Sequence, residues 1–403
     1  MRVAHINMLH FGSTGKIMLG IAEVARKKGN AVWTFSPRYY QRHTRPIFPT
    51  IAGHSYFGNS IENMLHLRLA QLSGFHGCFS VIGTRQLVKS LQRISPDIVH
   101  LHNLHNWTIN LPMLFGYLKR NKIRTIWTLH DCWAFTGKCA YFTLAKCERW
   151  KTGCFECPEL RAYPQAWVDR SRTMWRLKKK WFTGLTDMTL VTPSKWLADL
   201  VEQSFLREYP VVQIANGIDL NIFKPIKSDF RKKHALESKK ILLGVAFGWG
   251  KRKGLDVFID LAKRLDEAYQ IVLVGTSADV DAYLPKNILS IHKTENQQQL
   301  AEIYSAADLF VNPTREENYP TVNMESIACG TPVLTFRTGG SPEMLTPETG
   351  AVVDCDDIDA MEKEICRICE TKPFSRADCV RAAQAFDMRA RFEEYVRLYE
   401  ERH

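Results

Sequence analysis

No run of this 403-residue chain is long and apolar enough to cross a bilayer, which takes about 20 consecutive apolar residues. The opening residues, Met1-Arg2-Val3-Ala4-His5-Ile6-Asn7, lack the apolar stretch and the small-residue cleavage site of a secretory leader. These absences predict a cytoplasmic protein. Internal repeats and low-complexity segments are missing too, which sets aside solenoids and linker-rich architectures. There is no nucleic-acid-binding module, so nucleic acid is not expected as a partner. The net charge of +12 then points to other anions, namely phosphorylated substrates or anionic lipid.

One absence is local. Gly12-Ser13-Thr14-Gly15-Lys16 has the look of a phosphate-binding loop. His10, however, stands where a Walker A loop needs a glycine, and Ile17 where it needs Ser or Thr for magnesium. A Walker B aspartate in context is lacking as well. The stretch is not an ATPase site; it is either half of some other phosphate contact or a plain βα turn.

What is present is a rhythm. Short β-branched or aromatic runs alternate with longer amphipathic stretches. Val3–Ile6, Ala31–Phe35, Ile98–His102, Thr125–Leu129 and Met188–Val191 read as strands, and Ile17–Lys28 as a helix. After "NGIDLNIFKPIKSDFRKK" the rhythm restarts with strands at Ile241–Ala246, Ile271–Gly275, Ile288–Ile291, Leu309–Val311 and Pro332–Thr335, and a helix over Leu255–Leu265. This is the pattern of doubly wound parallel sheets. It predicts an α/β protein of two Rossmann-like domains: residues 1–210, a linker at 211–225, and residues 226–385. A final helix over 386–403 is expected to return to the first domain.

The most specific stretch is "PTREENYPTVNMESIACGTPVLTFRTGGSPEML", Pro313 to Leu345. Glu317 falls in a turn after a strand, and Glu325, beyond seven intervening residues, falls about one turn inside the next helix. A helix N-terminus at the carboxyl edge of a parallel sheet is where phosphate and ribose bind. A carboxylate there can accept both hydroxyls of a ribose.

At this point the chain resembles the retaining GT-B glycosyltransferases of family 4, with their E-x7-E motif. The likeness covers nearly the whole chain and rests on five matches in order: "GSTGKIMLGIAEVARKKGNAVWTFSP", "TLHD", "NGIDLNIFKP", "KRKGLDVFIDLAKRL" and the E-x7-E region. The resemblance implies a GT-B fold with its active site in the cleft between the domains, and transfer of a sugar from a UDP- or GDP-sugar with no metal required for catalysis. Glu325 is then the ribose ligand and Glu317 the carboxylate facing the donor sugar. Lys253, with Arg252 beside it, neutralises the leaving diphosphate, and His130 lies over the sugar ring. Gly12 and Gly15 bring backbone close to a phosphate, and Asn318, Tyr319 and Thr321 complete the donor contacts. In one respect the chain departs from the family: Gly248 stands where an arginine is usual, and Arg252 or Lys251 is the available replacement. A non-catalytic nucleotide-sugar-binding protein on the same fold is the competing reading; it gives no reason to keep all of Glu317, Glu325, Lys253 and His130.

Five of the eleven cysteines lie between Cys132 and Cys157. Cys154 and Cys157 have the spacing of a metal knuckle, and Cys139 and Cys147 lie upstream in a loop with few core-forming residues. Four thiolates on a structural zinc, or four reduced and partly buried thiols, both account for them. Cys132 reads as a packed residue. The cysteine-bearing insertion, 132–160, resembles a branch of the family from bacterial capsule, colanic-acid and O-antigen gene sets, which implies a polysaccharide role with a lipid-linked glycan acceptor. The basic stretch Asp169–Leu185 carries Trp175, Trp181 and Phe182. It is either a peripheral contact for an anionic membrane surface or a packing helix with its cations in solvent.

Overall fold

The computed structural model describes residues 1–38, 49–105 and 107–401, and residues 402–403 of the expected final helix lie outside them. The chain divides into two compact units, Met1–Ile214 with the chain from Phe392 onward, and Ala215–Arg391. Each is built on one parallel sheet.

In the first unit the strands are β1 (Arg2–Ile6), β2 (Ala31–Pro37), β3 (His54–Phe57), β4 (Ile98–Leu101), β5 (Arg124–Thr128), β6 (Met188–Thr192) and β7 (Val211–Gln213). Their order across the sheet is β3-β2-β1-β4-β5-β6-β7. In the second unit they are β8 (Lys240–Val245), β9 (Tyr269–Val274), β10 (Ile288–Ile291), β11 (Leu309–Asn312), β12 (Val333–Phe336) and β13 (Gly350–Val353), in the order β10-β9-β8-β11-β12-β13. Both orders reverse direction once, between β1 and β4 and between β8 and β11. Loops leaving the carboxyl ends of strands diverge at such a reversal and leave a crevice for ligands.

The second sheet is buried on both faces, so its strands are apolar at successive residues. Leu243, Val272 and Phe310 join the core that includes Met324 and Ile327. Leu242, Leu273, Leu309 and Val311 join the opposite core, around Val257, Phe258 and Leu261. The period-2 pleat sends neighbouring residues to opposite sides.

Three strands have no counterpart among the sequence expectations: β3, β7 and β13. Each sits at a sheet edge, is only partly buried and is only three or four residues long. Val211–Gln213, assigned above to the linker, is the edge strand β7 and pairs with β6. Residues 386–391 belong to the second unit, where Ile218 N–H donates to Phe386 O at 2.8 Å and Met388 N–H to Ile218 O at 3.0 Å.

Candidate active site

In the second unit the reversal point lies between β8 and β11, and the residues singled out from sequence gather on the loops that follow these two strands. The loop after β8 ends in a 3-10 turn, Lys251–Lys253, before the helix Leu255–Arg264. The loop after β11 carries Glu317 and runs into the helix Thr321–Ala328, with Glu325 one turn inside.

Arg315 ties the two loops together. Its guanidinium forks onto Asp256 at 2.8 and 2.9 Å and reaches Asp356 at 2.6 Å, while its backbone N–H donates to Arg252 O at 2.9 Å. A planar guanidinium holding two carboxylates fixes direction as well as distance. Sequence reasoning passed over Arg315, although it lies two residues before Glu317.

With the loops pinned, Lys253 Nζ donates to Glu317 Oε2 in a partly buried ion pair. Glu317 Oε1 accepts from the N–H of Asn318 at 3.3 Å, and Asn318 O accepts from the N–H of Gly340 at 2.7 Å. Gly339 makes this possible: its φ is +56°, and a Cβ there would stand 1.8 Å from Glu317 O. Glu325 Oε2 accepts from the Tyr304 hydroxyl at 3.2 Å. Burial and the Glu325 charge push the Tyr304 hydroxyl well above its usual range, so it stays a donor. Tyr319 O accepts from Asn216 at 3.4 Å, and Thr321 heads the helix. Arg252 and Lys251 are solvent-exposed, and Gly248 has φ +81°, a backbone conformation that disfavours the arginine usual in the family.

In the first unit the reversal point lies between β1 and β4. The helix after β1 begins at Gly12, earlier than the expected Ile17, so Gly15 is its fourth residue. At that position the N–H bonds inside the helix, and the N–H groups left over are those of Gly12, Ser13 and Thr14. Gly15 is required for another reason: a Cβ would stand 2.5 Å from the His10 carbonyl carbon. Buried Asn7, which sequence reasoning missed, holds this loop through Leu9 O at 2.7 Å and Thr14 Oγ1 at 3.2 Å.

His130 follows β5 and ends a chain of hydrogen-bonded rings. Thr128 Oγ1 meets His100 Nε2 at 2.8 Å, and His100 Nδ1 meets the Tyr399 hydroxyl at 2.7 Å. Tyr399 continues to His5 Nε2 at 3.4 Å, His5 Nδ1 to His102 Nε2 at 3.3 Å, and His102 Nδ1 to His130 Nε2 at 3.3 Å. Burial pushes His130 down to about 4 and His5 to about 3, and holds His100 and His102 well below their ordinary value. All four rings are therefore neutral near pH 7, each with one donor and one acceptor nitrogen. The ligand nitrogens of His5, His100 and His102 lie within 4.8 Å of one another, a spacing that suits a metal. Every one of those nitrogens is engaged in the chain just described. Beside it, Asp131 accepts from His105 at 2.9 Å and from the N–H of Trp133 at 2.9 Å.

Elsewhere in the first unit, the basic helix forms as Ser171–Phe182, with its aromatics turned to the protein. Phe182 is buried against Trp127 and Phe115, and Trp175 packs on Phe205 and donates to Trp150 O at 2.8 Å. This corrects the membrane-facing aromatic reading, because the rings at this helical spacing complete the core. A different helix, Ser60–Ser73, exposes Ile61, Met64, Leu65, Leu69 and Leu72. Their i, i+3, i+4, i+8, i+11 spacing was the signal in the sequence. Cys132 is buried in the core, whereas Cys139, Cys147, Cys154 and Cys157 line one cavity.

Residues 226–386 match the family described as glycosyl transferases group 1, and residues 15–222 match glycosyltransferase family 4. WcaC of Escherichia coli (strain K12), a glycosyl transferase named for colanic acid biosynthesis, is 24% identical over 98% of this chain and 100% of its own. Among solved structures, sucrose-phosphate synthase from Thermosynechococcus elongatus superposes with a TM-score of 0.71 at 17% identity, covering 99% of this chain and 98% of that one. The Anabaena protein Alr3699/HepE, solved in complex with UDP, superposes with a TM-score of 0.68 at 13% identity over 99% and 100%. These two likenesses are of fold, and the fold is GT-B: two parallel sheets of Rossmann type with alternating helices. With both halves matched, the chain belongs to glycosyltransferase family 4, its second half being a group 1 glycosyl transferase domain, and it is a glycosyltransferase.

Proposed function

We propose that the protein is a retaining glycosyltransferase that moves a sugar from a UDP- or GDP-sugar to a lipid-linked glycan during bacterial surface polysaccharide synthesis. The observation that carries this reading is the Lys253–Glu317 pair at the reversal point of the second sheet, with Glu325 one turn into the following helix. In this reading Glu325 takes the ribose hydroxyls, Lys253 and Arg252 meet the diphosphate, and Glu317 faces the sugar. Asn318, Tyr319 and Thr321 line the donor, with the free N–H groups at Gly12 as a further phosphate contact. His130, neutral near pH 7, serves as a hydrogen-bond partner for sugar hydroxyls. The bond between the anomeric carbon and the β-phosphate oxygen breaks with its electron pair on phosphate. The acceptor oxygen then bonds on the same face, and its proton goes to the departing phosphate. Charge that builds on that phosphate is stabilised by Lys253, a fixed cation.

The acceptor assignment draws on the colanic-acid relative. Peripheral contact with an anionic membrane, at the inner face of the cytoplasmic membrane, draws on the net charge of +12 and on the exposed stripe of helix Ser60–Ser73. The test is release of nucleoside diphosphate from a panel of nucleotide sugars, with a lipid-linked acceptor present. Turnover of one donor with retention at the anomeric carbon is expected. Inverted product, or turnover undiminished in Glu317→Ala, overturns the reading.

A further inference from the structure

Between β5 and the helix Ser171–Phe182 the chain forms no strand and only two short 3-10 turns, Trp133–Phe135 and Arg149–Lys151. Segments this long without secondary structure need another source of order. Buried Trp133, Phe135, Phe142 and Trp150 supply part of it. The same segment carries Cys139, Cys147, Cys154 and Cys157.

All four line one cavity of about 20 Å³, room for roughly one water-sized body. None is in a disulfide. Cys154 and Cys157 flank a tight turn in which Cys154 and Glu156 have φ of 43° and 44°. The backbone N–H of Gly137 donates to Cys154 Sγ at 3.2 Å, the kind of support a thiolate accepts. Two lysine side chains stand by, buried Lys178 near Cys139 and Cys154, and Lys138 near Cys139 and Cys157. Lys138 is held there by the carbonyls of Ala162 at 2.7 Å and Pro164 at 2.8 Å.

We propose that Cys139, Cys147, Cys154 and Cys157 bind a single zinc ion that orders the segment between β5 and the Ser171–Phe182 helix. Four sulfur ligands select zinc or an iron–sulfur cluster, and the small cavity favours the single ion. Four thiolates would leave zinc with excess negative charge, and the amino groups of Lys138 and Lys178 are the basic side chains beside them. The site ties down the segment that starts at His130 and Asp131: Lys178 Nζ also donates to Trp133 O and lies 3.7 Å from the Trp133 ring centroid. This inference is independent of the donor chemistry.

The test is elemental analysis of the full chain, purified without chelator and without a metal-affinity column. Near one zinc per chain is expected, released when a mercurial reagent titrates the thiols. Cys147→Ser and Cys154→Ser should each cut bound zinc at least tenfold, while Cys132→Ser, whose sulfur does not line the cavity, leaves it unchanged. If the serine variants do not fold, cobalt exchanged into the wild-type chain should give a thiolate charge-transfer band. A folded wild-type chain without metal overturns the proposal. So does zinc that persists in the Cys147 and Cys154 variants, or cobalt bound without that band.

Discussion

Lys253 and Glu317, 64 positions apart in the chain, close an ion pair at the reversal point of the second sheet. Their side chains are 19% and 17% exposed, so each charge is partly desolvated and is satisfied by the other. In the function proposed above, a donor diphosphate arriving at Lys253 would compete with a carboxylate already in place. Lys253→Met should weaken nucleoside diphosphate binding about tenfold and lower kcat/KM by about 10²–10³. Glu317→Gln releases Lys253, so it should lower kcat while binding the diphosphate at least as tightly as wild type. Calorimetry with UDP and GDP, set beside turnover, separates the two; equal loss of affinity in both variants would count against the assignment.

Gly15 packs against its own preceding loop. Gly15→Val is expected to destabilise the first unit, by about 1–3 kcal/mol for a side chain forced into a filled space. Denaturant melts measure this directly. An unchanged melt would mean that the loop moves aside, and the glycine would then answer to a ligand instead.

The buried histidines make stability depend on pH. His130 falls from an ordinary value of 6.5 to about 4, and His5, His66 and His76 to about 3, mainly through burial. Below pH 6.5 the unfolded chain takes up protons that the folded chain refuses, so stability falls as pH falls. The loss continues down to the folded values near 4 and 3, and each such histidine contributes up to about 1.4 kcal/mol per pH unit. Urea melts from pH 7.5 to 4.5 should begin to weaken near 6.5. The decline should be shallower in His102→Phe, and a flat profile contradicts the chain of neutral rings.

Helix Ser60–Ser73 exposes an apolar stripe. Leu65→Glu with Leu69→Glu should reduce co-flotation with anionic vesicles at least tenfold, since burying a leucine is worth about 1.5–3 kcal/mol. Turnover on a water-soluble acceptor should be unchanged. Binding that survives both substitutions assigns the membrane contact to another surface.

Much of this protein is legible in its sequence because the signals are local. Runs such as Ile271–Gly275 and Thr125–Leu129 announce buried parallel strands, and the alternation with amphipathic stretches announces two α/β sheets. Glu317 and Glu325, with seven residues between them, stand after a strand and one turn inside the next helix, the pattern from which the sequence predicts a donor site. The edge strands β3, β7 and β13, three or four residues each, are too short to give such a signal.

Tertiary structure alone decided the pairings. The register that sets His5 opposite His100, and the return of Tyr399 to His100 across 299 positions, build the ring chain behind His130. The fork of Arg315 on Asp256 and Asp356 pins Lys251–Lys253 beside Glu317. Packing also decided which aromatics face inward on the Ser171–Phe182 helix and which apolar residues stay in solvent on Ser60–Ser73. Periodicity sets how a segment folds on itself; which distant charges and rings meet depends on strand order and register, and local sequence carries neither.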